Sequence, residues 1–141
     1  MNAFVVSPAA ASSPNSAALT QYSCTGLRLY TQPLVLVHGW GMDSQIWAEL
    51  PQQLRQFADV ITLDLPGFAQ SPALPNYSET DLQQWMAELL PEGCYLIGLS
   101  LGGMLSCGFA ARYPQRVAGL ITLSSNSHFV ANEVLVGNKM T

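Results

Sequence analysis

The stretch Gly98-Leu99-Ser100-Leu101-Gly102, with Gly103 directly after it, decides how the chain is read. It stands between an apolar run, Cys94-Tyr95-Leu96-Ile97, and a small-residue segment with helical character. A serine between two glycines on a sharp strand-to-helix turn is the elbow pattern that lifts a hydroxyl to the top of a sheet. So tight a turn strains the serine backbone. The residues two places either side must be small, because a Cβ there meets crossing backbone. Gly98 and Gly102 meet that demand. The bare spacing is common, and its weight comes from the strand before it, the helix after it and a second motif upstream.

That upstream motif begins at Pro33, which introduces Leu34-Val35-Leu36-Val37, a continuous aliphatic run of the kind buried on both faces of a sheet. It ends in the turn His38-Gly39-Trp40-Gly41, followed by Met42 and by Asp43-Ser44 as candidate helix caps. Ile46, Trp47, Leu50, Leu54 and Phe57 recur at helical spacing, and Pro51 predicts a kink or restart there. Val60-Ile61-Thr62-Leu63 reads as the next strand, stopping at Asp64-Leu65-Pro66-Gly67-Phe68-Ala69-Gln70-Ser71. Ser78 and Asp81 form a capping box, after which Leu82, Trp85, Met86, Leu89 and Leu90 mark an amphipathic helix. Downstream of the elbow, the helix through Tyr113 carries few polar groups and should be buried, and Val117–Leu123 is the last strand. Leu27–Tyr30 is expected to be a further short strand after Gly26. Residues 1–18, rich in Ala, Ser and Pro, read as a poorly ordered leader, and 19–141 as part of one domain.

Strands alternating with helices predict an α/β fold, a mostly parallel sheet with helices on both faces. The unusual residues cluster in the turns at the C-terminal ends of the strands, the edge where open α/β sheets bind ligands.

Composition narrows the function. The 141 residues are 49% hydrophobic and only 10% charged, as suits a sheet covered on both faces. Five Lys and Arg against nine Asp and Glu, net charge −4, leave no basic stripe, so nucleic acid is not an expected partner. No apolar run approaches the ~18 residues of a membrane span. The short Ala3-Phe4-Val5-Val6 run, with no Lys or Arg before Arg28, does not make a signal sequence, so a cytoplasmic protein is expected. Cys24, Cys94 and Cys107 are scattered and odd in number, which suggests free thiols and neither a disulfide framework nor a metal site.

Ser100 is the first candidate for chemistry. As a nucleophile it would form an acyl-enzyme once a base takes its proton; the plainer reading is a turn serine capping the next helix. An oxyanion would need backbone donors, and the N–H of Leu101 and of Trp40 are the candidates, with the Trp40 indole as a wall of the acyl pocket or simply a packing ring. His38 belongs to the turn that builds this loop and is expected to hold it by bonding backbone rather than to act as base. His128 lies beyond the last strand with no acid placed to orient it. Asp64 and Ser71 read first as turn residues, and Arg112 as complementing a helix dipole.

Together, His38–Gly41, Asp64–Ser71 and Gly98–Gly103 resemble the α/β-hydrolase fold family. Within it, these motifs and Tyr113-Pro114-Gln115-Arg116-Val117 resemble the esterases that act in biotin biosynthesis on the methyl ester of a pimeloyl chain held on acyl carrier protein. The likeness runs over roughly Leu34 to Phe129. It implies a serine carboxylesterase with Ser100 as nucleophile, Trp40 and Leu101 at the substrate carbonyl, and no cofactor or metal. Ala69 stands where the family's loop has a second glycine, which should stiffen that turn. The family takes its triad acid and histidine from loops after later strands, and such domains run to roughly 200–250 residues. The chain is therefore expected to be the N-terminal part of such a domain, truncated after the sixth strand of the family pattern and inactive alone. Its last strand should present an apolar edge through which the isolated chain self-associates. Two other readings stay open: a general esterase, thioesterase or acyltransferase of the same fold, or a non-catalytic fragment that binds acyl groups or a partner.

Overall fold

The computed structural model describes residues 17–125. Five strands, Leu19–Tyr22 (β1), Leu34–Val37 (β2), Val60–Leu63 (β3), Cys94–Leu99 (β4) and Val117–Leu123 (β5), form one sheet in the order β1-β3-β2-β4-β5. β2, β3, β4 and β5 run parallel, and β1 is antiparallel to β3. Every residue of β2 and β3 is buried, as the aliphatic run of β2 and the β-branched run of β3 suggest.

Register divides the side chains between two faces. Leu34 pairs with Val60 and Val35 with Ile61, so Val35, Val37, Ile61 and Leu63 share one face and Leu34, Leu36 and Val60 the other. On the first face lie helices Glu79–Leu89 (α2) and Leu101–Arg112 (α3), whose Trp85, Met86, Leu105 and Phe109 complete the larger core. Met86 and Phe109 are fully buried, each contributing about 1.5–3 kcal/mol by the area taken from water. On the other face Leu36, Trp47 and Val60 pack with Leu50 and Leu54. Helices therefore cover both faces, as expected.

Local signals explain most boundaries. Asp43 caps a 3-10 turn at Ser44–Trp47 by accepting from the Gln45 N–H at 2.8 Å. Ala48 then adopts φ 49° and breaks the helix, which restarts at Leu50–Leu54 (α1) with Pro51 in its first turn. The spacing from Ile46 to Phe57 is thus two short pieces. Ser78 and Asp81 form a reciprocal capping box at α2. At Gly108 α3 faces α2: a Cβ there would meet the Glu79 carboxylate and the Gln83 amide, the movable ends of two α2 side chains.

The expected strand at Leu27–Tyr30 does not form. The N–H groups of Leu29 and Tyr30 both reach the Phe57 carbonyl, and Leu27 is 79% exposed. The position beside β3 is already taken by β1, whose Leu19 pairs with Leu63 and Tyr22 with Val60. Ala18, at the boundary of the expected leader, is buried, and its carbonyl accepts from the Asp64 N–H at 2.8 Å. Residues 1–16 of that leader lie outside the described residues, as does His128. Among the described residues β5 is the outer strand, with Leu120, Ile121 and Leu123 exposed. No described helix is long and apolar enough to cross a membrane.

Candidate active site

Ser100 sits between β4 and α3 at φ 54°, ψ −116°, a conformation that costs a non-glycine residue of order 1–3 kcal/mol. Its neighbours make the turn possible. A Cβ on Gly98 would lie 2.5 Å from the Gly102 carbonyl oxygen and 2.6 Å from the Gly103 Cα. A Cβ on Gly102 would strike the carbonyl oxygens of Val37 and His38, at the end of β2. The strain is held from several sides: the Ser100 N–H donates to the Leu123 carbonyl at 2.8 Å, and the Ser100 carbonyl accepts from Gly103 N–H, Met104 N–H and the Ser125 hydroxyl. Ser100 occupies the N-cap position of α3, as the plainer reading has it, but its side chain makes no capping bond.

The loop after β2 lies against this elbow. A Cβ on Gly39 would come within 3.1 Å of both the Leu99 carbonyl oxygen and the Ser100 Cβ, so glycine allows the close approach. Trp40 follows directly, and Leu101 is the first residue of α3, where an N–H has no partner within the helix. Neither the Trp40 nor the Leu101 N–H is taken up by another backbone group among the described residues. A strained serine, two N–H groups with no backbone partner among the described residues, and the positive end of a twelve-residue helix suit charge developing on a carbonyl oxygen.

His38 holds the loop, as its place in the turn suggested. The Leu65 N–H donates to its Nε2 at 2.9 Å, which fixes the other nitrogen, Nδ1, as the one that donates to the Gly39 carbonyl at 2.7 Å. With the ring buried and both nitrogens committed, His38 has no lone pair to offer Ser100. Asp64 is likewise engaged, its Oδ1 accepting from the Ser44 N–H at 2.7 Å and the Ser44 hydroxyl at 2.6 Å. It ties the end of β3 to the 3-10 turn after the His38 loop, twenty residues away, rather than capping only its own turn as the sequence suggested. Phe68 stands edge-on to His38 at 5.4 Å and to Trp40 at 5.5 Å between ring centroids. Ala69 adopts φ 48°, the left-handed conformation that its missing glycine would take without cost. Outside this corner opens a cleft of about 530 Å³ lined by Gly41, Met42, Asp43, Gln45, Ile46, Phe68 and Ala69. Among the described residues no cluster of three His, Cys, Asp or Glu is placed to hold a metal.

Two buried polar devices escaped sequence reasoning. Arg116 donates to the carbonyls of Ala87, Leu90 and Pro91, closing the C-terminus of α2. Asp59 accepts from the Cys24 N–H and both terminal nitrogens of Arg28, anchoring the segment before β2. A single Arg after Tyr-Pro and a single Asp before a strand carry no local signal for such long-range partners. Burial pushes the Cys94 thiol up to about 11, partly offset by the nearby Arg116 charge, so it is no candidate nucleophile.

This sheet order, with an elbow serine at the top of β4 and a glycine loop against it, is the arrangement of a hydrolase. The chain belongs to the α/β-hydrolase fold family, whose model matches residues 32–139. It is 47% identical over 104 residues to a protein of Cellvibrio japonicus named biotin biosynthesis bifunctional protein BioHC, covering 73% of this chain and 21% of that one. It is 40% identical over 102 residues to a pimeloyl-[acyl-carrier protein] methyl ester esterase of Aeromonas salmonicida, covering 71% of this chain and 40% of the relative. Among solved structures, a thermophilic esterase from Thermogutta terrifontis superposes with a TM-score of 0.64 at 30% identity, over 86% of this chain and 45% of the esterase. The chain thus spans less than half the length of each of these relatives.

Proposed function

We propose that the chain carries the nucleophile and oxyanion half of a serine carboxylesterase acting on an acyl methyl ester, of the pimeloyl type carried on acyl carrier protein. The observation that carries this reading is the elbow: a strained serine, uncapped by its own side chain, with Gly39 packed on its Cβ. The named relatives support the substrate class. In this reading Ser100 Oγ attacks the ester carbonyl, its proton passing to a base, and the oxyanion is received by the N–H groups of Trp40 and Leu101. Collapse expels the methoxide, which leaves as methanol after protonation. Water then releases the acid from the acyl-Ser100 ester. No step requires a cofactor, and a cytoplasmic setting accords with the substrate.

The described residues offer Ser100 no base, since His38 is bonded at both nitrogens. We therefore infer that the 141-residue chain alone turns over slowly, and that its exposed β5 draws copies together. Chemical rescue tests this. Added imidazole should accelerate hydrolysis of dimethyl pimelate by the chain, and Ser100→Ala should abolish that acceleration. Equal acceleration by both proteins would refute the assignment of Ser100.

A further inference from the structure

We propose that Phe68 is a positioning residue for Trp40, and through it the Asp64–Ser71 loop sets the shape of the ester site. Trp40 lies on a loop flanked by Gly39 and by Gly41 at φ 74°, and its residue is 72% exposed. A side chain so placed gains little fixing from backbone or core. The ring against it among the described residues is Phe68, meeting it edge-on at an interplanar angle of 81°. Phe68 in turn is anchored: it packs on the larger core, and its ring meets buried His38 edge-on at 74°. His38 is immobilised by its bonds to Leu65 and Gly39, so a buried, fixed ring passes its position through Phe68 to an exposed one. The loop that carries Phe68 is itself pinned, by hydrogen bonds from Gly67 N–H to the Ser71 carbonyl and from Ser71 N–H to the Phe68 carbonyl. Phe68 also lines the open cleft that begins at Gly41, the residue after Trp40.

The consequence for chemistry rests on the ester-site reading above, whereas the contact itself does not, and the test separates them. The chain is labelled with 5-fluorotryptophan and followed by fluorine NMR, the Trp40 resonance being assigned from Trp40→Phe. Phe68→Leu keeps an apolar anchor on the core but removes the aromatic edge. It should shift and sharpen the Trp40 resonance while those of the buried Trp47 and Trp85, reporters of an intact fold, stay in place. Phe68→Tyr should restore the wild-type Trp40 signal. Titration with dimethyl pimelate should perturb Trp40 in the wild type and require about fivefold more ester in Phe68→Leu, the scale expected from freeing one side chain. A Trp40 resonance unmoved by Phe68→Leu, or one that Phe68→Tyr fails to restore, overturns the proposal. If Phe68→Leu moves Trp40 but the ester leaves wild-type Trp40 untouched, the positioning role stands and the ester-site reading falls.

Discussion

Replacing Gly102 by alanine adds one methyl group where the elbow crosses the end of β2. That methyl would be driven into the carbonyl oxygens of Val37 and His38. Neither can retreat cheaply: Val37 is paired with Leu63 on one side and Gly98 on the other, and His38 is bonded to Leu65. With backbone as the obstacle on both counts, the cost should lie near the top of the overpacking range, about 3 kcal/mol. For a domain of this size that corresponds to a fall in Tm of about 10 °C. Gly41→Ala is the control, because nothing lies within 4 Å of a Cβ there and the penalty is purely conformational at φ 74°. Left-handed strain of about 1–2 kcal/mol, less the entropy alanine removes from the unfolded chain, leaves a net loss of about 1 kcal/mol or less. Urea unfolding followed by far-UV circular dichroism compares the two at equal protein concentration. A Gly102→Ala loss no larger than that of Gly41→Ala would show that the elbow does not press on β2 and would refute the steric account.

The buried polar groups and the thiols give four further expectations. Arg116→Met leaves the carbonyls at the end of α2 without donors and should cost about 2–4 kcal/mol in urea unfolding, with Arg116→Lys recovering only part, since one ammonium cannot span them. His38→Phe keeps a ring but orphans the Leu65 N–H and the Gly39 carbonyl, and should destabilise by about 2–4 kcal/mol. Cys94 holds its proton more tightly when folded than its ordinary value of 9.0, so its contribution is intact below that pH and is lost as pH rises from 9.0 through about 11. Stability measured across that interval should fall less in Cys94→Ala than in the wild type. Iodoacetamide at pH 8 should modify half-buried Cys107 well before Cys94.

Much of this was legible because the deciding signals are local. The unbroken runs Leu34–Val37 and Val60–Leu63, the Ser78–Asp81 box and the glycines about Ser100 each state a short-range steric or hydrogen-bonding demand, and the fold meets them. His38 was readable as a loop anchor because its place in the turn brought backbone groups within reach. What stayed hidden depends on partners distant in the chain. Leu19-Thr20-Gln21-Tyr22 is a strand only because β3 offers it an edge, while the more strand-like Leu27–Tyr30 finds that edge occupied. Arg116 and Asp59 take their meaning from residues 25–35 positions away. Phe68 looked like one letter of a turn motif, and only packing reveals it as the ring between His38 and Trp40.

The assignment of Ser100 is tested most directly by where a mechanism-based phosphonylating agent becomes attached. The chain, incubated for long times with excess fluorophosphonate, should label slowly because no described residue serves as base, and tandem mass spectrometry should place the adduct on Ser100. Ser100→Ala should remain unlabelled. An adduct on another serine, such as Ser71 or Ser125, would contradict the assignment of Ser100, and rapid labelling at Ser100 would contradict the inference that this chain turns over slowly.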